Sequence, residues 1–272
     1  FPGLFYIVTP SSVDQHEYYR ATWTGISGDR HYRNGPMHKF ELVENPWLQA
    51  NIIEGHGPLG ALYPKLTYIM EGDTPSFLGL IDNGLGSAAS PSYGGWGGRY
   101  VLHQCYGETR PIWTNVNDAR DTVVADTGVV CTSAQATIWR WREAYQHDFA
   151  ARMDWCVADA REKANHNPVA VLTDDRTRAV AYLAARSGET IVLDATGSHD
   201  PDGDEISYRW FVYPEADTYR GSVEIERYAT DRAQIAAPEV SSPETIHVIL
   251  EITDDGTPSL SAYRRVVLSI QP

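Results

Sequence analysis

An α/β domain followed by an all-β sandwich is the fold class that the sequence predicts, and three observations carry that prediction. Between Glu54 and Leu80 a Gly-Pro turn, a short apolar helix, a stop at Pro64 and an apolar run of strand length follow one another, the succession of an α/β unit. Gln135–Val157 contains neither Gly nor Pro and spaces its apolar residues near the helical repeat. From Asn165 onward the chain turns to short alternating or β-branched runs separated by turn residues, the pattern of two packed antiparallel sheets. The boundary is drawn between 165 and 166, giving domains 1–165 and 166–272.

Composition narrows the function classes. The 272 residues carry a formal charge of -14, and such a surface repels a phosphate backbone, so nucleic acid is not an expected partner. No apolar run approaches the roughly 20 residues that span a bilayer, so no membrane partner is expected either, and no signal-peptide pattern precedes Phe1. Tyr (16) and Trp (8) outnumber Phe (6), a bias toward rings with a polar handle that stack on sugar faces at a wet surface, although core packing is the commoner use of any single one.

Taken in order, Leu4–Val8 reads as a strand ended by Thr9-Pro10, and Asp14–Arg33 as a helix followed by a loop that Asn34-Gly35-Pro36 closes. Within Phe40–Ile53 a helix is expected to start near Pro46. Gly57-Pro58 opens a helix carrying Leu59, Ala61 and Leu62, Pro64 stops it, and Leu66–Met70 is the next strand. Glu71 and Asp73 then stand where a parallel strand ends, the place where open α/β sheets hold ligands, although a helix-capping Asp or Thr reads the same way. Gly79–Gly98 is a loop whose Gly94–Gly98 end is read as a flexible platform presenting Trp96 and Arg99; the alternative is a tight turn with Trp96 in the core. Arg99 and Arg110 are candidate substrate contacts, or equally buried partners of Glu71 or Glu108.

Tyr100–Leu102 is strand-like, and Thr122–Ala125 with Val129–Val130 around Asp126-Thr127-Gly128 reads as a surface hairpin. Cys105 and Cys131 flank this excursion and are placed to close it as a disulfide, whereas Cys156 is expected to be a buried thiol. Thr132-Ser133 begins the helix that carries His147-Asp148; an Asp in such a helix is ordinarily solvated or paired with a neighbour such as Arg152. In the second half the expected strands are Val169–Leu172, Ala179–Ala184, Thr190–Asp194, Tyr208–Tyr213, Ser222–Tyr228, Gln234–Ala236, His247–Thr253 and Arg264–Ile270. Asp200, Asp202 and Asp204 could chelate calcium, though not as an EF-hand, since Phe211 stands where that loop needs an acid; an Asx-type turn between strands is the favoured reading.

Gly57-Pro58-Leu59-Gly60, Tyr63-Pro64 and Gly72-Asp73-Thr74-Pro75 together resemble the core of nucleoside hydrolases. With Tyr19–Trp23, Gly94–Tyr100 and Tyr106–Pro111, the chain more closely resembles secreted cellulose-binding proteins whose main domain is nucleoside-hydrolase-like. Thr190–Trp210 with Val248–Asp255 is similar to immunoglobulin-like and polycystic-kidney-disease-type (PKD) sandwiches. The resemblance implies a partial Rossmann-like domain, an extracellular location, a saccharide or polysaccharide ligand, and an N-terminal portion with an Asp-rich loop ahead of Phe1. It implies calcium held by Asp148 and the backbone carbonyl of His56, with His147, Asp73 and Glu71 as catalytic residues and Trp96, Arg99 and Arg110 contacting substrate. Ser76-Phe77-Leu78 departs from the family by lacking the polar pair that holds sugar hydroxyls. Calcium-dependent hydrolysis of a glycosidic bond in a plant cell-wall-type saccharide is the expected function, with non-catalytic polysaccharide binding as the alternative.

Overall fold

A computed structural model describes residues 6–8, 26, 38–67, 74–103, 107, 109–114 and 119–272. The chain divides into two units, one of residues 1–81 and 87–158, the other of residues 82–86 and 159–272.

Prolines and glycines set the start of each early helix in the first unit. A single turn at Phe40–Val43 buries Phe40, Leu42 and Val43. Helix α1 (Asn45–Leu48) follows, with Pro46 in its first turn, where a missing N–H costs nothing. A widened turn, Gln49–Ile53, continues it and buries Ile52. Helix α2 (Gly57–Leu62) starts at Gly57-Pro58 and stops at Tyr63, whose extended conformation the following Pro64 enforces. Gly60 lies on Ile52 and Ile53 so closely that a Cβ would sit 2.6 Å from the Ile53 carbonyl oxygen. The strand expected from Leu66 does not begin there, because the Asn45 side-chain amide clasps both backbone groups of Leu66, at 2.7 and 3.0 Å. Its remainder, and the helix expected over Asp14–Arg33 except Ile26, lie outside the described residues.

Helix α3 (Thr74–Leu78) comes next in the unit. A small sheet joins β1 (Tyr6–Val8), β2 (Val101–Leu102) and β3 (Ile112–Thr114), with β1 parallel and β2 antiparallel to the central β3. The expected hairpin forms from β4 (Asp121–Val124) and β5 (Val130–Ser133), and Val123, Ala125 and Cys131 on its inner face pack on Ala136 and Trp139. The Ser133 hydroxyl accepts the Ala136 N–H at 3.0 Å, as a helix-starting serine does. The single helix expected over Gln135–Val157 is two, α4 (Ala136–Trp139) and α5 (Arg142–Val157). They serve different partners, since α4 sends Trp139 into the hairpin core while α5 packs on the Phe40–Val43 turn. No glycine or proline marks the change of direction at Arg140–Trp141.

Polar side chains fasten the buried face of α5. The Arg142 guanidinium donates to the carbonyls of His38 and Ile26, at 2.6 and 2.9 Å, and the Gln146 amide donates to that of Leu42 at 2.6 Å. Cys156 is exposed on the last turn, contrary to expectation, because Tyr145, Ala150, Ala151 and Met153 face inward there. Cys131 is buried and its thiol donates to the Ser133 hydroxyl; Cys105, and with it the expected pairing of the two, lies outside the described residues.

The second unit is the expected sandwich. One sheet runs β6–β11–β10–β8 and the other pairs β7 with β9; the strands are β6 (Ala181–Arg186), β7 (Thr190–Asp194), β8 (Ile206–Val212), β9 (Arg232–Ala236), β10 (Glu244–Asp254) and β11 (Ser261–Gln271). Alternation places Ile191, Leu193, Trp210, Ile235, Ile246, Val248, Leu250, Ile252, Val266, Leu268 and Ile270 in the core between them. Two expected strands shrink to isolated bridges, the first to Val169 with His199 and Leu172 with Asp175, the second to Glu226 with Gln234. The second is cut short at Arg227, whose φ of 54° no ladder accepts. Asp200 makes the expected Asx turn, its Oδ1 accepting from the N–H groups of Asp202, Gly203 and Asp204.

Residues 82–86, taken from inside the long Gly79–Gly98 loop, complete this unit. The Tyr263 N–H donates to the Asn83 carbonyl at 3.0 Å, and the buried Arg265 donates from Nε to the Leu85 carbonyl at 2.5 Å. β6 pairs with β11 only from Val266 onward, so Asn83 takes up the ladder position that β6 leaves open.

Candidate functional site

Helices α3 and α5 wall a cavity of about 130 Å³. Thr74, Phe77 and Leu78 line it from α3, and Tyr145, Asp148, Phe149 and Arg152 from α5. The glycine-rich stretch beneath sets the position of α3. A Cβ on Gly97 would lie 2.5 Å from both the Gly79 nitrogen and the Pro75 oxygen, so only glycine lets the two backbones touch. The Tyr100 hydroxyl donates to the Gly97 carbonyl at 2.8 Å and braces the same turn; burial pushes that phenol well above its ordinary pKa.

Asp148 is the buried charge of the cavity, 3% exposed. Arg152, one helical turn further along, donates from Nε to its Oδ2 at 2.6 Å, and the guanidinium also lies 5.3 Å from the centre of the Trp155 ring. An ion pair of this i,i+4 kind is set by α5 itself. Around it the walls are largely aromatic. Phe149 packs on Tyr63 with ring centres 5.6 Å apart, and Phe77 is 60% exposed at the rim. A charged hydrogen-bonding fork among ring faces suits a neutral polyhydroxylated ligand, whose hydroxyls meet the fork and whose C–H faces meet the rings.

The residues expected at the site fall into three groups. Asp148 lines the cavity, and so does Thr74, the residue after Asp73; Asp73 and Glu71 themselves lie outside the described residues. His147 and His56 do not line it. The His56 ring is hydrogen-bonded to Asp154 at 2.9 Å, more than a turn beyond Asp148 along α5, and its carbonyl accepts the Gly60 N–H at 3.1 Å. Trp96, Arg99 and Arg110 are elsewhere, and the platform reading is corrected. Trp96 is 1% exposed, and every residue from Gly94 to Tyr100 is buried. Arg99 is a buried partner of Asp121: its Nε donates to that carboxylate at 2.8 Å, and Arg140 holds the other oxygen of the same fully buried group at 2.8 Å, while Glu71 and Glu108 lie outside the described residues. Arg110 is exposed and lies over the Tyr6 ring at 5.3 Å, beside the start of β1.

Sequence reasoning missed Phe77, Tyr145 and the site role of Arg152. The spacing of Arg152 from Asp148 was a readable signal; the direction in which the short α3 points Phe77 was not.

Comparison with known proteins bears on the same residues. Residues 1–100 match the family model described as cellulose-binding Sde182, nucleoside hydrolase-like domain, and residues 190–270 match that of the cellulose-binding protein Sde0182 C-terminal domain. A solved structure of a nucleoside hydrolase-related protein from Saccharophagus degradans, described as associated with carbohydrate metabolism, is 35% identical over 94% of this chain with a TM-score of 0.70. This chain spans 60% of that protein's length. The PKD domain of the KIAA 1837 protein aligns with 34% of the chain and 81% of its own at 18% identity, and its TM-score of 0.25 is too low to carry an argument. No curated protein matches the chain. In sequence order, then, the chain matches the Sde182 nucleoside-hydrolase-like domain and the Sde0182 C-terminal domain, and it is similar across both to the nucleoside hydrolase-related protein.

Proposed function

We propose that this protein binds a plant cell-wall-type polysaccharide, cellulose first among them, and that the cavity between α3 and α5 receives one sugar unit. The observation that carries the reading is the pairing of buried Asp148 with the half-exposed Arg152 among Phe77, Tyr145 and Phe149. The cellulose-binding description of both matching families supports the ligand class, and an extracellular location is part of the proposal. Pull-down of the full-length protein on insoluble cellulose tests it. Depletion from the supernatant is expected for the wild type and reduced depletion for Phe77→Ala; complete retention of the wild type in solution rejects the reading.

Calcium-dependent glycosidic hydrolysis is the second reading, favoured by Asp148 on the cavity wall and by Thr74, the residue after Asp73 in sequence, on the same wall. Calcium takes six to eight oxygen ligands, and bound there it would orient and acidify a water. The described residues do not fit it. Asp148 is already engaged by Arg152, the His56 carbonyl accepts the Gly60 N–H, and among the described residues no three His, Cys, Asp or Glu side chains are grouped to hold a metal ion. Calcium-dependent release of reducing ends from cello-oligosaccharides by the full-length protein would establish this reading, and its absence removes it.

A further inference from the structure

We infer that Arg152, not a divalent ion, is the standing counter-charge of Asp148, and that their pair reads the hydroxyls of a neutral sugar unit; the second half of this rests on the binding function proposed above. The pair lies within one helix, so α5 neutralises Asp148 whatever other segments approach it. Its 2.6 Å contact is at the short end for a charge-assisted bond and occupies one carboxylate oxygen that a metal would use. A divalent ion added to this pair would leave a net charge of +2 (-1 + 1 + 2) against a largely apolar wall of Phe77, Leu78 and Phe149, which is costly without further carboxylates. Release of Arg152 would not supply them, because Asp154, the next acid along α5, is bonded to His56.

With the charge balanced inside the helix, the cavity offers acceptors and fork-shaped donors rather than a net charge. The Arg152 side chain lines the cavity, spends its Nε on Asp148 and is 45% exposed, so part of it is reachable by a ligand. Paired donors and acceptors suit neighbouring hydroxyls, and a neutral hexose unit is favoured over a uronic acid, whose carboxylate would meet Asp148 as well as Arg152.

The test has two arms on the full-length protein. In the first, calcium content is measured by elemental analysis and melting temperature is followed with calcium chloride alone and with EDTA. Less than about 0.1 calcium per chain and no shift are expected, and stoichiometric calcium that disappears in Asp148→Asn overturns the counter-charge assignment. In the second, cello-oligosaccharide is titrated calorimetrically in EDTA. Arg152→Gln and Arg152→Lys are each expected to weaken binding about tenfold or more, with Arg152→Lys keeping the wild-type melting temperature because it keeps the charge. Wild-type affinity in both variants overturns the role in sugar recognition. A wild type that binds no cello-oligosaccharide overturns the sugar half and the binding function together, while the calcium arm still decides the counter-charge.

Discussion

Gly84→Ala is expected to cripple the sandwich although residue 84 lies in the first half of the sequence. Gly84 has φ +92°, and a Cβ built on it would lie 1.8 Å from the Tyr263 carbonyl oxygen, so at least 1.2 Å of movement is needed to reach the 3.0 Å below which real contacts essentially never fall (3.0 - 1.8). The segment cannot shift that far and keep its bonds. Losing the Tyr263 to Asn83 bond costs about 1 kcal/mol and losing the charged Arg265 to Leu85 bond about 2 kcal/mol. Forcing alanine to positive φ adds about 1 kcal/mol. The sum, about 4 kcal/mol, is a large share of the 5–15 kcal/mol that stabilises a typical domain, and for a unit of this size it lowers Tm by roughly 15 °C. Differential scanning calorimetry of wild type and variant measures it, with the loss expected in the sandwich transition. A Tm within about 3 °C of wild type would refute the reasoning.

Three further outcomes follow from single contacts. Asp121→Asn leaves the Arg99 and Arg140 guanidinium groups facing a neutral amide in a fully buried place and is expected to destabilise the first unit by about 3–5 kcal/mol in urea unfolding, where an unchanged midpoint contradicts it. Trp96→Ala, at a residue expected from sequence to contact substrate, is expected to act as a core cavity costing about 3–5 kcal/mol, seen as a loss of Tm with or without saccharide. The Asp217 carboxyl is pushed up to about 7 by burial, so folding is favoured below its unfolded value of 3.8 and that contribution is lost as pH rises toward 7. Burial and Arg265 lower His247 to about 3, which gives the opposite slope, a loss of stability as pH falls from 6.5 toward 3. The two offset each other between pH 4 and 6.5 in the wild type; Asp217→Asn is expected to expose the His247 slope, measured as Tm against pH.

How much of this was legible depended on whether a signal had one physical solution. Thr190–Asp194 is a β-branched apolar run bounded by turn residues and becomes β7 with those bounds, and Gly57-Pro58 with Pro64 marks both ends of α2. Gly94–Gly98 had two solutions, a flexible presenter or a close backbone approach, and only the packing of Gly97 on Gly79 chooses between them. The break at Arg140–Trp141 left no local mark because tertiary packing made it: Trp139 belongs to the hairpin and Arg142 to the carbonyls of Ile26 and His38. The same holds for the site. Asp148 and its neighbour Arg152 were visible as a spacing, whereas the capture of Asn83 by Tyr263 and the turning of Phe77 into the cavity are long-range events with no local code.

The account's central claim is that a sugar unit enters between α3 and α5. Calorimetric titration of cello-oligosaccharide into the wild type and Phe77→Ala tests it most directly, because Phe77 is exposed enough to be removed without unfolding the unit. About tenfold weaker binding in the variant at unchanged Tm is the predicted result, in keeping with the loss of one ring face; equal affinity in the two proteins would contradict it.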